Sequence, residues 1–290
     1  MYLIYINSIY KTPNMESEPQ YFLSQDGLRI YYRHWEAANP TKILCIVHGL
    51  AEHSGRYTHV ANLFINQGYA VFALDLRGHG ISQGKRGHAK TFDHLLSDVE
   101  ELLKTARAEH TDLPMFLLGH SMGGNIVANY ILKKPTNELT GYILSSPWLR
   151  LAFEPPAWKM KLAKLVSGIF PSLTQSDGLD ASALSRDQSV VDAYKADPLV
   201  HGVISAGLFT SGTLAGEEVL QRSFEIKIPG LIYHGDADRI VNWNASETFA
   251  KNNKLATWKR LGGVYHEGLN DLGKEELMAT ILDWMERQIK

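Results

Sequence analysis

The chain has 290 residues, 44% of them hydrophobic, a net charge of −2 and a single cysteine. That content is enough to bury one large core, or a core with an inserted lid. The near-neutral charge leaves no basic stripe for a phosphate backbone, so no nucleic-acid partner is expected. Cys45 alone cannot form an intramolecular disulfide and reads as an inert core thiol, in keeping with a cytoplasmic setting.

Met1 to Tyr10 is apolar but too short to span a bilayer, and it has neither a leading positive region nor a small-residue cleavage site. Residues 1–19 therefore read as an N-terminal tail, with Met15 a candidate start. Gly27 to Glu36 and Lys42 to Val47 read as strands, Arg56 to Asn66 as a helix, Tyr69 to Leu74 as a strand and Phe92 to Glu109 as a helix. Met115 to His120 is the next strand, Met122 to Lys134 a helix and Leu139 to Leu144 a strand. This alternation predicts an α/β protein with a mostly parallel sheet covered by helices on both faces. Between Trp148 and Ser223 the pattern breaks into helical stretches interrupted by Pro155-Pro156, Pro171 and Pro198. The strand order resumes with Pro229 to Gly235 and Leu255 to Leu261. The expected domains are a core of residues 20–147 and 224–290, with residues 148–223 inserted as a helical cap.

The run Met115-Phe-Leu-Leu-Gly-His-Ser-Met-Gly-Gly124 carries G-x-S-x-G where a strand breaks into a helix. Ser121 is the candidate nucleophile, exposed by a sharp turn that Gly119 and Gly123 leave room for. A serine hydroxyl is a weak nucleophile, so it needs a base and amides to receive an oxyanion. On this fold the acid and the histidine follow the serine in chain order. Asp238, in the loop after Pro229 to Gly235, is the candidate acid, and His266, after Leu255 to Leu261, the candidate base. Asp236 is the rival acid on the same loop.

His48-Gly-Leu-Ala-Glu-His-Ser-Gly-Arg-Tyr57, Asp75-Leu-Arg-Gly-His-Gly80, Gly119-His-Ser-Met-Gly123 and His234-Gly-Asp-Ala-Asp-Arg239, with Tyr265-His266, resemble the monoacylglycerol lipase and lysophospholipase branch of the α/β-hydrolases. The resemblance runs from about Gln20 to the C-terminus and is weakest between Trp148 and Ser223. It implies the α/β-hydrolase fold, no cofactor and a small lipid ester as substrate. It also implies that Leu50 and Met122 supply the oxyanion amides and that Glu52 and Arg56 shape the end that receives glycerol. Leu269 is a departure, because some relatives carry a second histidine there. Independently, Met122 opens a helix, where free N–H groups and the positive dipole end favour an anion, and His48-Gly49 begins a loop whose amides can face Ser121.

Other polar groups have blander readings. Glu52 and Arg56 can simply pair at i,i+4. Asp75 to Gly80 reads as a turn whose charges hold adjacent loops. His48, His53, His79, His120 and His234 crowd the strand ends but lack ligand spacing, so no metal is expected there. In the cap, Trp158, Leu162, Leu165, Val166 and Ile169 recur at helical spacing, either as a face packed on the core or as a lid that touches lipid and brings the protein transiently to a membrane surface. Gly202, Gly207, Gly212 and Gly216 suggest mobility in the second cap stretch. The expected activity is ester hydrolysis through an acyl-enzyme, with a lysophospholipase, a carboxylesterase, a peptidase and a non-catalytic lipid-binding protein as alternatives.

Overall fold

The computed structural model describes residues 19–153 and 157–289. The reading of residues 1–18, including the Met15 start, lies outside the described residues, as do Pro155 and Pro156. Ten strands and eight α-helices are described: β1 (Gln20–Leu23), β2 (Arg29–Glu36), β3 (Lys42–Val47), α1 (Thr58–Ile65), β4 (Tyr69–Leu74), α2 (Phe92–Glu109), β5 (Met115–His120), α3 (Met122–Lys133), β6 (Gly141–Ser145), α4 (Ala157–Ile169), β7 (Thr174–Ser176), α5 (Gln188–Ala196), β8 (Val203–Ser205), α6 (Ala206–Arg222), β9 (Gly230–Gly235), α7 (Trp243–Asn252), β10 (Ala256–Leu261) and α8 (Lys274–Gln288).

Eight strands form one sheet in the order β1-β2-β4-β3-β5-β6-β9-β10. The strands from β4 to β10 run parallel, and β2 pairs antiparallel with β1 and with β4. The central strands are buried along their whole length, as expected of a parallel sheet covered on both faces. One apolar layer takes α2, α3, α6 and α7 onto the sheet. The other takes α1 and α8. With the parallel strands aligned, their C-terminal ends converge at one edge, the edge where such sheets collect ligands.

β1, α7 and α8 escaped the sequence reading. β1 is a four-residue edge strand with alternating exposure, too short a run to stand out from its flanking turn residues. The segment between β6 and β9 holds three helices, as expected, but also the two-stranded antiparallel sheet of β7 and β8, which three-residue strands do not announce in sequence. The α6 glycines are packing devices rather than loosening ones. A Cβ at Gly216 would lie 2.4 Å from the Leu149 carbonyl oxygen, and one at Gly212 would lie 3.2 Å from the Trp148 ring. Asn125 and Asn129 of α3 donate to the carbonyls of Gly212 (2.8 Å) and Ala215 (3.2 Å), fastening α6 to the core.

Candidate active site

Ser121 sits between β5 and α3 with φ of 52°, a left-handed conformation that a serine adopts only under constraint. The constraint is visible in the packing. A Cβ at Gly119 would lie 2.4 Å from the Gly123 carbonyl oxygen, and one at Gly123 would lie 2.2 Å from the Val47 carbonyl oxygen and 2.4 Å from that of His48. The two glycines thus let the first turn of α3 press against the end of β3. A Cβ at Gly49 would in turn lie 3.1 Å from Ser121 Cβ. The loop after β3 and the N-terminus of α3 therefore meet at the serine, with the Met122 amide in the first turn of a helix where N–H groups have no intrahelical acceptor.

That loop is held by two side chains. His48 donates from Nδ1 to the Gly49 carbonyl (2.7 Å) and accepts the Leu76 amide on Nε2 (2.9 Å), which fixes one neutral tautomer. Burial depresses its basicity, in agreement with that neutral form. In a trans peptide the N–H points opposite to the C=O, so His48 turns the Leu50 amide away from the core. Glu52 Oε1 accepts from the Gly49 amide (2.6 Å) and from the Tyr57 hydroxyl (2.9 Å). Ala51, between them, has φ of 68°.

Asp238 is buried beside two histidines. His266 donates from Nδ1 to Asp238 Oδ2 at 2.6 Å, and His234 donates from Nε2 to the same oxygen at 2.9 Å. The amides of Ile240 (2.7 Å) and Val241 (3.1 Å) donate to Oδ1. Burial by itself would raise the Asp238 carboxyl, but the neighbouring His266 and the hydrogen bonds from both rings hold it well below the usual carboxylate range. Burial would likewise lower His266, yet facing Asp238 leaves it raised above 6.5. With Nδ1 taken up by the carboxylate, Nε2 of His266 is the nitrogen left for proton transfer. Asp236 points elsewhere: it accepts from Arg260 (2.9 Å) and from the Gly263 amide (2.6 Å). His234, counted above among the crowded histidines, is the residue beside Asp238 that sequence reasoning left without a role.

Ser121 and His266 line one cavity of about 300 Å³ together with Leu50, Glu52, His120 and Glu267. Its other walls combine apolar residues, among them Trp148, Leu151, Phe209, Ile240 and Val241, with Tyr194 and the charged side chains Asp177, Asp180 and Arg239. Glu52 and Arg56 do pair, at 2.9 Å, and Arg56 also makes a two-pronged contact with Glu267 (2.6 and 2.7 Å) while its guanidinium lies 4.9 Å from the centre of the Tyr194 ring. All three charged side chains are at least nine-tenths buried. Burial would raise Glu52, but Arg56 and the surrounding donors bring it down to about 2. Arg56 does not line the cavity; it holds the two carboxylates that do. Glu267 was absent from the sequence reading, although a carboxylate directly after the candidate base was signal enough to suspect it. Leu269 is buried in the apolar layer under α8.

The remaining strand-end histidines have structural partners: His53 bonds Asp197 (2.8 Å), His79 the Arg77 carbonyl (3.0 Å) and His120 the Ser145 hydroxyl (3.0 Å). Asp75 accepts from Ser54 and from the Ile81 amide, and Arg77 joins Asp98 and Asp26. That is the loop-holding turn expected from the sequence.

A family model described as "Serine aminopeptidase, S33" matches residues 38–273. The chain belongs to this α/β-hydrolase family. It is 35% identical over 268 residues to a monoacylglycerol lipase of Mycolicibacterium smegmatis, covering 91% of this chain and 95% of that one. It is also 35% identical over 283 residues to an abhydrolase domain-containing protein of Dictyostelium discoideum, where the match covers 95% of this chain and 30% of that longer protein. The solved monoacylglycerol lipase of Paleococcus ferrophilus superposes with a TM-score of 0.82 at 33% identity, covering 89% of this chain and 99% of that one. This hydrolase has, among the described residues, no helix long and apolar enough to cross a membrane.

Proposed function

We propose that the protein hydrolyses the ester bond of monoacylglycerols and similar single-chain lipids through an acyl-enzyme on Ser121. The observation that carries this reading is His266, held by Asp238, bordering the same cavity as the constrained Ser121, with apolar residues along much of its lining and the carboxylates of Glu52 and Glu267 beside them. Its similarity to the monoacylglycerol lipases of M. smegmatis and P. ferrophilus supports the same substrate class.

The chemistry follows from the contacts. His266 Nε2 takes the Ser121 proton as Oγ attacks the ester carbonyl, and the imidazolium formed is stabilised by Asp238, which keeps its own charge. The Leu50 and Met122 amides receive the oxyanion, a contribution of about 3–4 kcal/mol per donor in related sites. Collapse expels the glycerol oxygen, which takes the proton from His266. Water, deprotonated by the same nitrogen, then attacks the acyl-serine, and fatty acid leaves as Ser121 regains its proton. Glu52 acts on this reaction by holding the Gly49 amide, and Glu267 with Tyr194 supplies the polar end that meets glycerol. The apolar walls take the acyl chain. Residues 148–223 act as a cap over this site, and Phe153, Trp158, Leu165, Ile169 and Phe170, each at least 60% exposed, give it a face suited to transient contact with a lipid surface.

The test is kcat/KM across saturated monoacylglycerols and p-nitrophenyl esters of matching acids. Each methylene is expected to contribute up to about 0.8 kcal/mol until the apolar lining is fully covered, so specificity rises from acetyl toward medium or long chains. A flat dependence would leave a general carboxylesterase, and a preference for lysophospholipids would move the substrate to that class. An unreactive serine toward a fluorophosphonate would leave a lipid-binding protein.

A further inference from the structure

Away from the cavity, at the opposite end of the sheet, two histidines and two glutamates converge. Glu36 ends β2 and pairs with Ala70 at the start of β4, in register with the first residues of β3 and β5. Ser121 lies beyond the other end of β5. Glu109 is the last residue of α2 and His110 its C-cap, so the end of α2 is laid over the end of β2. His34 Nδ1 lies 3.2 Å from Glu109, and His110 Nε2 lies 3.3 Å from Glu36, whose other oxygen is 3.9 Å from His34 Nε2. One ligand atom each from His34, Glu109 and His110 falls within a group less than 4.8 Å across.

Two observations separate this cluster from ordinary surface ion pairs. The His34 side chain is only 10% exposed and that of His110 only 13%, and the Nε2 atom of each is buried without a hydrogen-bond partner. A buried ring nitrogen left unsatisfied is destabilising, and here Glu36 lies 3.3 Å from that of His110 and 3.9 Å from that of His34. Packing fixes the rings in place: His34 stacks on Phe72 with centroids 4.1 Å apart and planes 15° apart, and His110 meets the same Phe72 at 69°. Glu36 and Glu109 are more than a third exposed, which leaves an entry path from solvent. Spacing in the sequence gave no hint, because the four ligands come from i,i+2 on a strand and i,i+1 at a helix end, 73 residues apart between Glu36 and Glu109.

We propose that His34, Glu109 and His110, with Glu36 or water as the fourth ligand, bind a divalent transition-metal ion of the zinc type. Two imidazoles with carboxylates suit a borderline ion rather than calcium or magnesium, which take oxygen sets. The ion clamps the C-terminal end of α2 to the end of β2. It stabilises the fold and takes no part in ester hydrolysis, since the cluster stands at the far end of the strands from Ser121.

The experiment is calorimetric titration of the chelator-treated full chain with zinc chloride, with magnesium and calcium chloride as comparisons, followed by thermal denaturation. One zinc per chain is expected, magnesium and calcium leave the melting temperature where it was, and zinc at a hundredfold excess over its Kd raises it by roughly 5–10 °C. Glu109→Gln, an exposed change that spares the packed rings, weakens zinc binding roughly 10–100-fold, and His34→Gln with His110→Gln abolishes it. Esterase activity of the metal-free variants matches the metal-free parent and reports that they are folded. Zinc uptake that is unchanged in Glu109→Gln and in the double variant, or no uptake by the parent chain, overturns the proposal.

Discussion

At the residue scale, the two acids of one loop have opposite fates. Asp238 accepts four hydrogen bonds and faces the base, whereas Asp236 pairs with an arginine that is about half exposed. Asp238→Asn should lower kcat by about 10⁴, through loss of tautomer control, with Asp236→Asn close to wild type; steady-state rates on one soluble ester check this, and the reverse order would transfer the role. The same pair sets the pH response. His266 must be neutral to accept the Ser121 proton, and facing Asp238 raises it, so kcat/KM should fall on acidification with an inflection above 6.5, moving to lower pH in Asp238→Asn. The linkage to stability has the opposite sense. A raised histidine contributes stability that is complete below its unfolded value and is lost as pH climbs through its folded one. Ser121 and His266 were legible as candidates because strand, turn and chain order constrain them, whereas Asp236 and Asp238 share one loop and differ only in the tertiary contact that Asp238 makes with His266. The roles of His234 and Glu267 depend on which loops meet in space, which no spacing records.

At the scale of elements, the loop after β3 and the first turn of α3 behave as one device. Gly123 permits their contact, and a methyl group there would meet two backbone carbonyls of the β3 end within 2.4 Å, atoms that cannot yield without moving the strand. Gly123→Ala should therefore cost upwards of about 3 kcal/mol of stability, measurable by denaturant unfolding, or displace the Met122 amide with a 10²–10³-fold loss in kcat if the fold survives. The buried Glu52–Arg56–Glu267 network separates support from recognition. Glu52→Ala frees the Gly49 amide and should slow glycerol and p-nitrophenyl esters alike. Glu267→Gln should slow monoacylglycerol more than the matched p-nitrophenyl ester, since only the former leaves hydroxyls unpaired. Equal losses in both variants would remove the glycerol end. Every core strand from β3 to β6 could be read from sequence within two residues at each end, because a run of five or six mostly apolar residues between turn residues has the length of a strand and is too short for a helix. The little β7–β8 sheet and the tight seating of α6 could not, being tertiary outcomes of close approach at Gly212 and Gly216.

For the whole molecule, the core sheet brings Ser121 and His266 to one cavity, and the segment between β6 and β9 is proposed as the cap that selects what enters. Its α4 face carries Trp158, Leu165 and Ile169 in solvent, so the stripe that the sequence allowed to be a buried face is, at these three positions, an exposed one. Replacing Trp158 and Leu165 together with serine should leave hydrolysis of a soluble short-chain ester unchanged and lower turnover of vesicle-borne monoacylglycerol; equal rates on vesicles would remove the membrane contact. The central claim is that a single-chain lipid ester passes its acyl group to Ser121. Rapid quenching of the enzyme with a medium-chain monoacylglycerol, followed by mass spectrometry of the peptide containing residue 121, tests it most directly. The expected result is a transient mass increase equal to the acyl group on Ser121, absent in Ser121→Ala. Steady release of fatty acid by the wild-type chain with no acylated Ser121 at any time, or with the acyl group on another residue, would contradict it.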